Sequence, residues 1–252
     1  MFRVEASART FSRRSLHGQV AHEIGARILR GDLKPGEILP SEAGLSVEFA
    51  VSRTALREAI KLLAAKGLVE SRPKTGTRIR ERTSWNMLDP DVLSWLVSGG
   101  AFEDFAEELF QMRRAIEPAA AALAAFEAGD DAIAPIVRAY AEMVAAGEDI
   151  EAGVGPDLRF HQAILAATGN RFLGPLGALI ESALATSFRI TSSYPGARIN
   201  SLPRHEAVLT AIRAGDPDAA RAAMERLLDD AMQDYHRVAG GAPAPGPVPR
   251  DR

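Results

Sequence analysis

Asp157 and His161 stand four residues apart in Pro156-Asp157-Leu158-Arg159-Phe160-His161, so on a helix a carboxylate and an imidazole share one face. His205, at the opening of a later apolar-periodic helix, is a third partner of the same kind. One Asp and two His suit zinc, nickel, iron or manganese, with coordination positions left for water or an anion. The spacing equally fits a plain hydrogen bond on a helix surface. A second constellation lies near the N-terminus, where Ser52, Arg53, Thr54 and Arg57 put short polar and long basic side chains at the start of a helix. Such an end reaches base edges first when a helix enters the major groove. Arg53 and Arg57 are again four apart, and a guanidinium can bridge guanine O6 and N7 with two hydrogen bonds. Lys61, the hairpin residues Arg72, Lys74 and Thr75, and the Ser41 hydroxyl are candidates for phosphate contacts. Without further support, two arginines on an exposed helix face are also ordinary solubilising charges.

The elements that must position these groups fall into two sets. Residues 1–14 read as a basic arm, and apolar residues at helical spacing from Leu16 to Leu29 predict a first helix that ends at Gly31-Asp32. Lys34-Pro35-Gly36 makes a turn. Ser41 caps a second helix anchored by Leu45 and Phe49, and Ser52 caps a third whose Ala55, Leu56, Ala59, Ile60, Leu62 and Leu63 form the buried stripe. Gly67 stops it, and short strands at 68–71 and 77–80 form a basic hairpin. This is the pattern of a winged helix-turn-helix over residues 15–82. Residues 83–101 read as a linker and junction helix with Asp89 as N-cap and Pro90 at the first helical position. From 102 to 238 every segment predicts helix, at 102–127, 131–147, 156–168, 171–193, 198–214 and 216–238. Alanine-rich helical faces with almost no alternating runs argue for an all-α bundle, so the fold class is mainly α. Residues 239–252, with four prolines in 240–252, read as a disordered tail.

Composition narrows the function classes. The 252-residue chain has no cysteine, which excludes disulfide frameworks and thiolate metal sites and suits a reducing compartment. It has no apolar run of the roughly 18 residues that a membrane helix needs, and its first residues are Arg- and Ser-rich, so a cytoplasmic location is expected. The net charge of −3 conceals an asymmetry. Residues 1–83 hold 16 Lys and Arg against 9 Asp and Glu, net +7, and residues 84–252 hold 14 against 24, net −10. A basic unit joined to an acidic one fits one part that meets a polyanion and another that stays off it.

The order Leu39-Pro40-Ser41-Glu42, Val51-Ser52-Arg53-Thr54, Arg57-Glu58-Ala59 and Gly67-Leu68-Val69 resembles the GntR family of bacterial regulators over residues 16–81. The resemblance implies that Arg53 and Arg57 are recognition-helix arginines and that the wing tip falls near Pro73 and Lys74. Two positions depart from the family pattern: Ala43 stands where many members have arginine, and Lys74 where many have glycine. From 102 to 238, Asp157, His161, Gly169-Asn170, His205 and Ala211-Ile212-Arg213-Ala214-Gly215-Asp216 resemble the FCD-type ligand-binding domain of the FadR subfamily. Metal-binding members carry an Asp-x-x-x-His pair and two further histidines. Here the last of these is Leu227, 22 residues after His205, which leaves either a three-ligand site for a divalent metal such as zinc or nickel, or a pocket that works without metal. The resemblance also places Arg113 in the cavity as a clamp for a carboxylate. From the residues alone, Arg113 equally makes a surface ion pair with Glu108 or Glu117.

The junction Trp85-Asn86-Met87-Leu88-Asp89-Pro90-Asp91-Val92-Leu93 is similar to that of the galactonate-operon type within the family, which shares the alanine at Ala43 and the missing last histidine. The implied function is a repressor that binds near-palindromic operator DNA as a homodimer and is released by a small carboxylate such as an aldonate. The alternative is a metal-dependent hydrolase or lyase built on Asp157, His161 and His205. It would need a general base beside the metal, and sequence logic places no Glu or His there.

Overall fold

The computed structural model describes residues 15–72, 75–100, 103–179, 181–191 and 196–239. The expected basic arm, the wing tip at Pro73 and Lys74, and the tail from 240 onward lie outside the described residues. Contacts divide the chain into two compact units between Phe102 and Glu103.

The first unit starts with α1 (Leu16–Leu29), whose N-cap Ser15 accepts from the Gly18 amide. In α2 (Glu42–Glu48) and α3 (Arg53–Ala65), Ser41 and Ser52 satisfy otherwise orphaned amides at Gly44 and Ala55. Leu56, Ala59, Ile60 and Leu63 bury the inner face of α3. Phe49, expected as a core anchor of α2, is only half-buried and lies under the Arg27 guanidinium at 5.4 Å, so Leu45 alone is buried there. The turn between α2 and α3 holds Ala50 at a φ of 51°, a left-handed conformation that costs a Cβ-bearing residue energy. β1 (Val69–Arg72) and β2 (Gly76–Ile79) pair antiparallel with Val69 opposite Ile79. Ile38 adds a bridge to Arg78, and the Leu39 amide donates to the Thr77 carbonyl, so the segment after the Lys34-Pro35-Gly36 turn braces the wing.

The expected linker is packed into this unit. α4 (Pro90–Ser98) is capped by Asp89 and lies on α1, where a Cβ on Gly25 would stand 2.3 Å from Trp95 Cε3. Only glycine allows that approach. Lys66, buried at the end of α3, bonds Asp89 at 2.7 Å and Asp91 at 2.8 Å and lies over the Trp95 ring. Gly67, at a φ of 76°, passes so close to the Ser84 carbonyl that a Cβ would meet it at 2.1 Å. The junction motif is therefore a seat for the third helix.

The second unit is all α among its described residues: α5 (Glu103–Glu127), α6 (Asp130–Ala146), α7 (Ile150–Ala167), α8 (Leu173–Leu179), α9 (Glu181–Thr191), α10 (Ala197–Arg213) and α11 (Pro217–Ala239). Alanines such as Ala120, Ala124, Ala139 and Ala220 let helices approach closely, and Ile136, Met143, Phe160, Ile164, Val208, Ile212 and Met224 fill the core between them. The 171–193 segment is helical at Leu173–Leu179 and Glu181–Thr191, with residue 180 outside the described residues. One helix departs from its expected bounds. α7 begins at Ile150, six residues before its expected start, because Gly153-Val154-Gly155 is helical as well. Gly153 is there for packing: the Arg198 guanidinium occupies the place of its Cβ and donates to the carbonyls of Gly147 and Met143, completing the end of α6.

Candidate functional site

Arg113, Asp157, His161 and His205 converge on one cavity of the second unit, which holds about 430 Å³ of space free of atoms, part of it open to solvent. α7 carries Asp157 and His161 inward on one face, and α10 brings His205 to them. Asp157 Oδ1 lies 3.4 Å from His161 Nε2 and 3.3 Å from His205 Nε2. Each ring is oriented from behind. His161 Nδ1 is 2.6 Å from Glu117 Oε2, and His205 Nδ1 is 2.9 Å from the Ser201 carbonyl. With Nδ1–H donating to these acceptors, each Nε2 is turned toward Asp157, the arrangement that metal-ligating histidines adopt. Phe160 meets the His205 ring edge-on, and Phe188 stacks on His161.

Arg113 is 2% exposed, and its Nε donates to Glu117 Oε1 at 2.7 Å. The surface ion pair is therefore corrected: Glu117 is its partner, but both lie inside the domain and the pair also holds His161. Burial by itself would raise the Glu117 carboxyl, but the charge of Arg113, then that of His161, holds it down at about 2. Burial likewise opposes ionisation of Asp157, and His205 beside it outweighs this and keeps the carboxyl well below its usual range. For His161, burial disfavours the charged ring, yet the Glu117 carboxylate, followed by Asp157, raises its pKa.

The donor set fits a divalent cation. Asp157 Oδ1 and His205 Nε2 are buried side by side with no hydrogen-bond partner. Leaving such atoms unsatisfied is costly unless something else binds them. One ligand atom from each of Asp157, His161 and His205 lies within 4.8 Å of the other two. In a tetrahedral shell with bonds of about 2.0–2.1 Å, neighbouring ligand atoms stand about 3.3 Å apart, close to the two separations found here. Leu227 lines the same cavity and supplies no ligand. Arg113 Nη1, also buried without a partner, adds a cationic donor. Spacing alone indicated the Asp157–His161 pair but not Glu117, which reaches His161 from 44 positions away. Ser201, Arg204 and Asp234, further along the wall, were also missed.

In the first unit, Ser52, Arg53, Thr54, Arg57 and Lys61 are all exposed on the outer face of α3. Ser41 and Ser52 use their hydroxyl oxygens as caps, which still leaves each O–H as a donor. Arg57 donates to Glu42 at 2.9 Å, Lys61 to Glu58 at 2.8 Å, and Arg72 pairs with Glu70 at 2.7 Å. Exposed pairs of this kind contribute about 0–1 kcal/mol, so they surrender readily to phosphate. Thr75 is exposed beside β2, and Lys74 lies outside the described residues.

A winged helix followed by an all-helical domain defines a class, that of DNA-binding regulators. Residues 16–79 match the family model described as bacterial regulatory proteins, gntR family, and residues 108–230 match the FCD domain. The uncharacterized HTH-type transcriptional regulator YieP of Escherichia coli K12 is 36% identical over 219 residues, covering 86% of this chain and 94% of its own. The galactonate operon transcriptional repressor of the same organism is 36% identical over 206 residues, 81% of this chain and 90% of its own. Among solved structures, Lar, which controls the agr system of Listeria monocytogenes, is 20% identical with a TM-score of 0.60, covering 90% of this chain and 99% of that one. This last likeness supports the fold. The chain belongs to the GntR family, with an FCD domain as its second unit. It is a DNA-binding transcriptional regulator and not an enzyme, so the hydrolase or lyase alternative falls.

Proposed function

We propose that the chain represses a sugar-acid or carboxylate catabolic operon, binding a near-palindromic operator as a homodimer and leaving it when a small carboxylate enters the FCD cavity. The observation that carries this reading is the set of buried, unsatisfied polar atoms, Asp157 Oδ1, His205 Nε2 and Arg113 Nη1, lining one cavity. Asp157, His161 and His205 would hold a divalent metal such as zinc or nickel, which when bound supplies a Lewis acid for an anionic ligand. With Leu227 in place of a fourth ligand, positions stay open for the carboxylate and 2-hydroxyl of an aldonate. Arg113 completes the clamp with a charge-assisted hydrogen bond. The relation to a galactonate operon repressor supports this choice of ligand class.

On the DNA side, Arg53 and Arg57 read base edges with Ser52 and Thr54 beside them, while Ser41, Lys61, Arg72, Lys74 and Thr75 hold phosphates. Two-fold symmetry matches the half-sites of a palindrome and doubles these contacts. No described helix is long and apolar enough to cross a membrane, which agrees with work on cytoplasmic DNA.

A thermal-shift measurement tests the pocket, because a ligand present at 100 times its Kd stabilises the native state by about 2.7 kcal/mol. D-galactonate and related aldonates should raise Tm in zinc- or nickel-loaded protein, and a chelator should lower Tm and abolish the response. No shift with any aldonate would contradict the acid reading. A shift untouched by chelation would contradict the metal.

A further inference from the structure

The cavity does not end at Asp157 and the histidines. Ala197, Ser201 and His205 line it from α10, and Leu227, Ala231 and Asp234 from α11. Each set recurs every three or four residues and so forms one stripe on its helix. The two helices pack together across the short turn at Ala214–Asp216, which makes them antiparallel. His205 is therefore level with Leu227, and Ala197 with Asp234, about two turns or 10 Å further along. Between these ends the small side chains of Ser201 and Ala231 face the groove, and Phe188, Thr191 and Leu228 complete its wall.

The far end is polar and balanced in charge. Asp234 is buried; its Oδ2 accepts from Arg204 at 3.3 Å and its Oδ1 from Arg237 at 2.8 Å. Arg204 Nε also pairs with Asp230 at 2.9 Å. Two guanidinium groups against two carboxylates leave no surplus charge to attract a second carboxylate. A carboxylate with about four acceptor sites and a guanidinium with five donors keep capacity beyond these bonds. Hydroxyl groups, which both donate and accept, match that pair.

We propose that this groove measures the carbon chain of the acid, with Arg204 and Asp234 binding hydroxyls remote from the carboxylate. The site then selects a polyhydroxy monocarboxylate of about six carbons over short 2-hydroxy acids and over dicarboxylates. The inference rests on the acid reading of the near end, but it assigns selectivity to residues remote from the cation cluster. Asp234→Asn keeps the volume and removes the charge of the acceptor. Ala231→Leu fills the groove between its ends and keeps a strong helix former.

The test is calorimetric titration of the full-length, nickel-loaded protein and both variants with D-galactonate and with L-lactate, a three-carbon 2-hydroxy acid. Wild type should bind galactonate more tightly than lactate. Asp234→Asn should lose about tenfold for galactonate, the size of one charged hydrogen bond, Ala231→Leu should lose galactonate affinity by blocking the groove, and both should keep their lactate affinity. If Asp234→Asn fails to fold, Ala231→Leu carries the same comparison. Equal losses for both acids, or no loss for galactonate, would reduce the Arg204–Asp234 pair to a brace between helices and overturn the proposal. Wild-type protein that binds both acids equally overturns the measuring groove alone, whereas protein that binds neither overturns the acid reading with it.

Discussion

Arg53 is exposed at the first turn of α3, where Ser52 fixes the helix start and no charged neighbour among the described residues ties its guanidinium. In the proposed complex, Arg53→Ala should cost about 1–3 kcal/mol of operator affinity and relax specificity at one base position. Binding measured across an operator series checks it, and undiminished discrimination would remove Arg53 from base reading. At the other site the informative residue is Leu227, buried on the cavity wall. Leu227→His should add a fourth ligand, so the protein should retain metal against higher chelator concentrations while D-galactonate binding weakens. Competition with a metal-sensing dye, paired with acid titration, reads both effects; unchanged metal retention would show that position 227 does not face the cation. Local spacing made Asp157 with His161 and Arg53 with Arg57 legible, since a helix sets what lies four residues away. It could not show that Glu117 serves Arg113 and His161 together, because that depends on how α5 packs against α7. Nor could it separate a surface ion pair from a buried one.

At the scale of elements, caps and apolar periodicity placed most helices to within a residue or two, since Ser15, Ser41, Ser52 and Asp89 each satisfy first-turn amides with side-chain oxygens. The failures share a cause. Gly153 fell outside the expected helix, but tertiary packing around Arg198 needs glycine inside α7. The junction helix at 83–101 was legible from Asp89 and Pro90, but its seat was not, because its contacts to Gly25 and Lys66 come from distant parts of the chain. Lys66 joins the end of the proposed reading helix to the start of α4. The hairpin is the element that should meet phosphates. Lys74→Ala should weaken all DNA sequences alike and flatten the slope of log affinity against log salt by about 0.9 for each lost contact. Binding to specific and random duplexes across a salt series tests this; a loss confined to the specific site would assign Lys74 to base reading instead.

At the scale of the whole molecule, the charge asymmetry and the family order of motifs were legible in sequence, because each is carried by many residues. What pattern alone left open was whether the Asp and His residues assemble, since that requires α7 and α10 to bring separate faces together. On the proposed reading, the acid need only prefer one state of the dimer over the other. A coupling of about 1–3 kcal/mol changes operator affinity roughly 5- to 150-fold. The most direct test is fluorescence anisotropy of the full-length protein on its operator, titrated with D-galactonate, for wild type, chelator-treated wild type and His161→Ala. Galactonate should release metal-loaded wild type, while the chelated protein and His161→Ala, both still bound to DNA, should not respond. Equal release in all three, or an operator complex indifferent to every aldonate, would contradict the account.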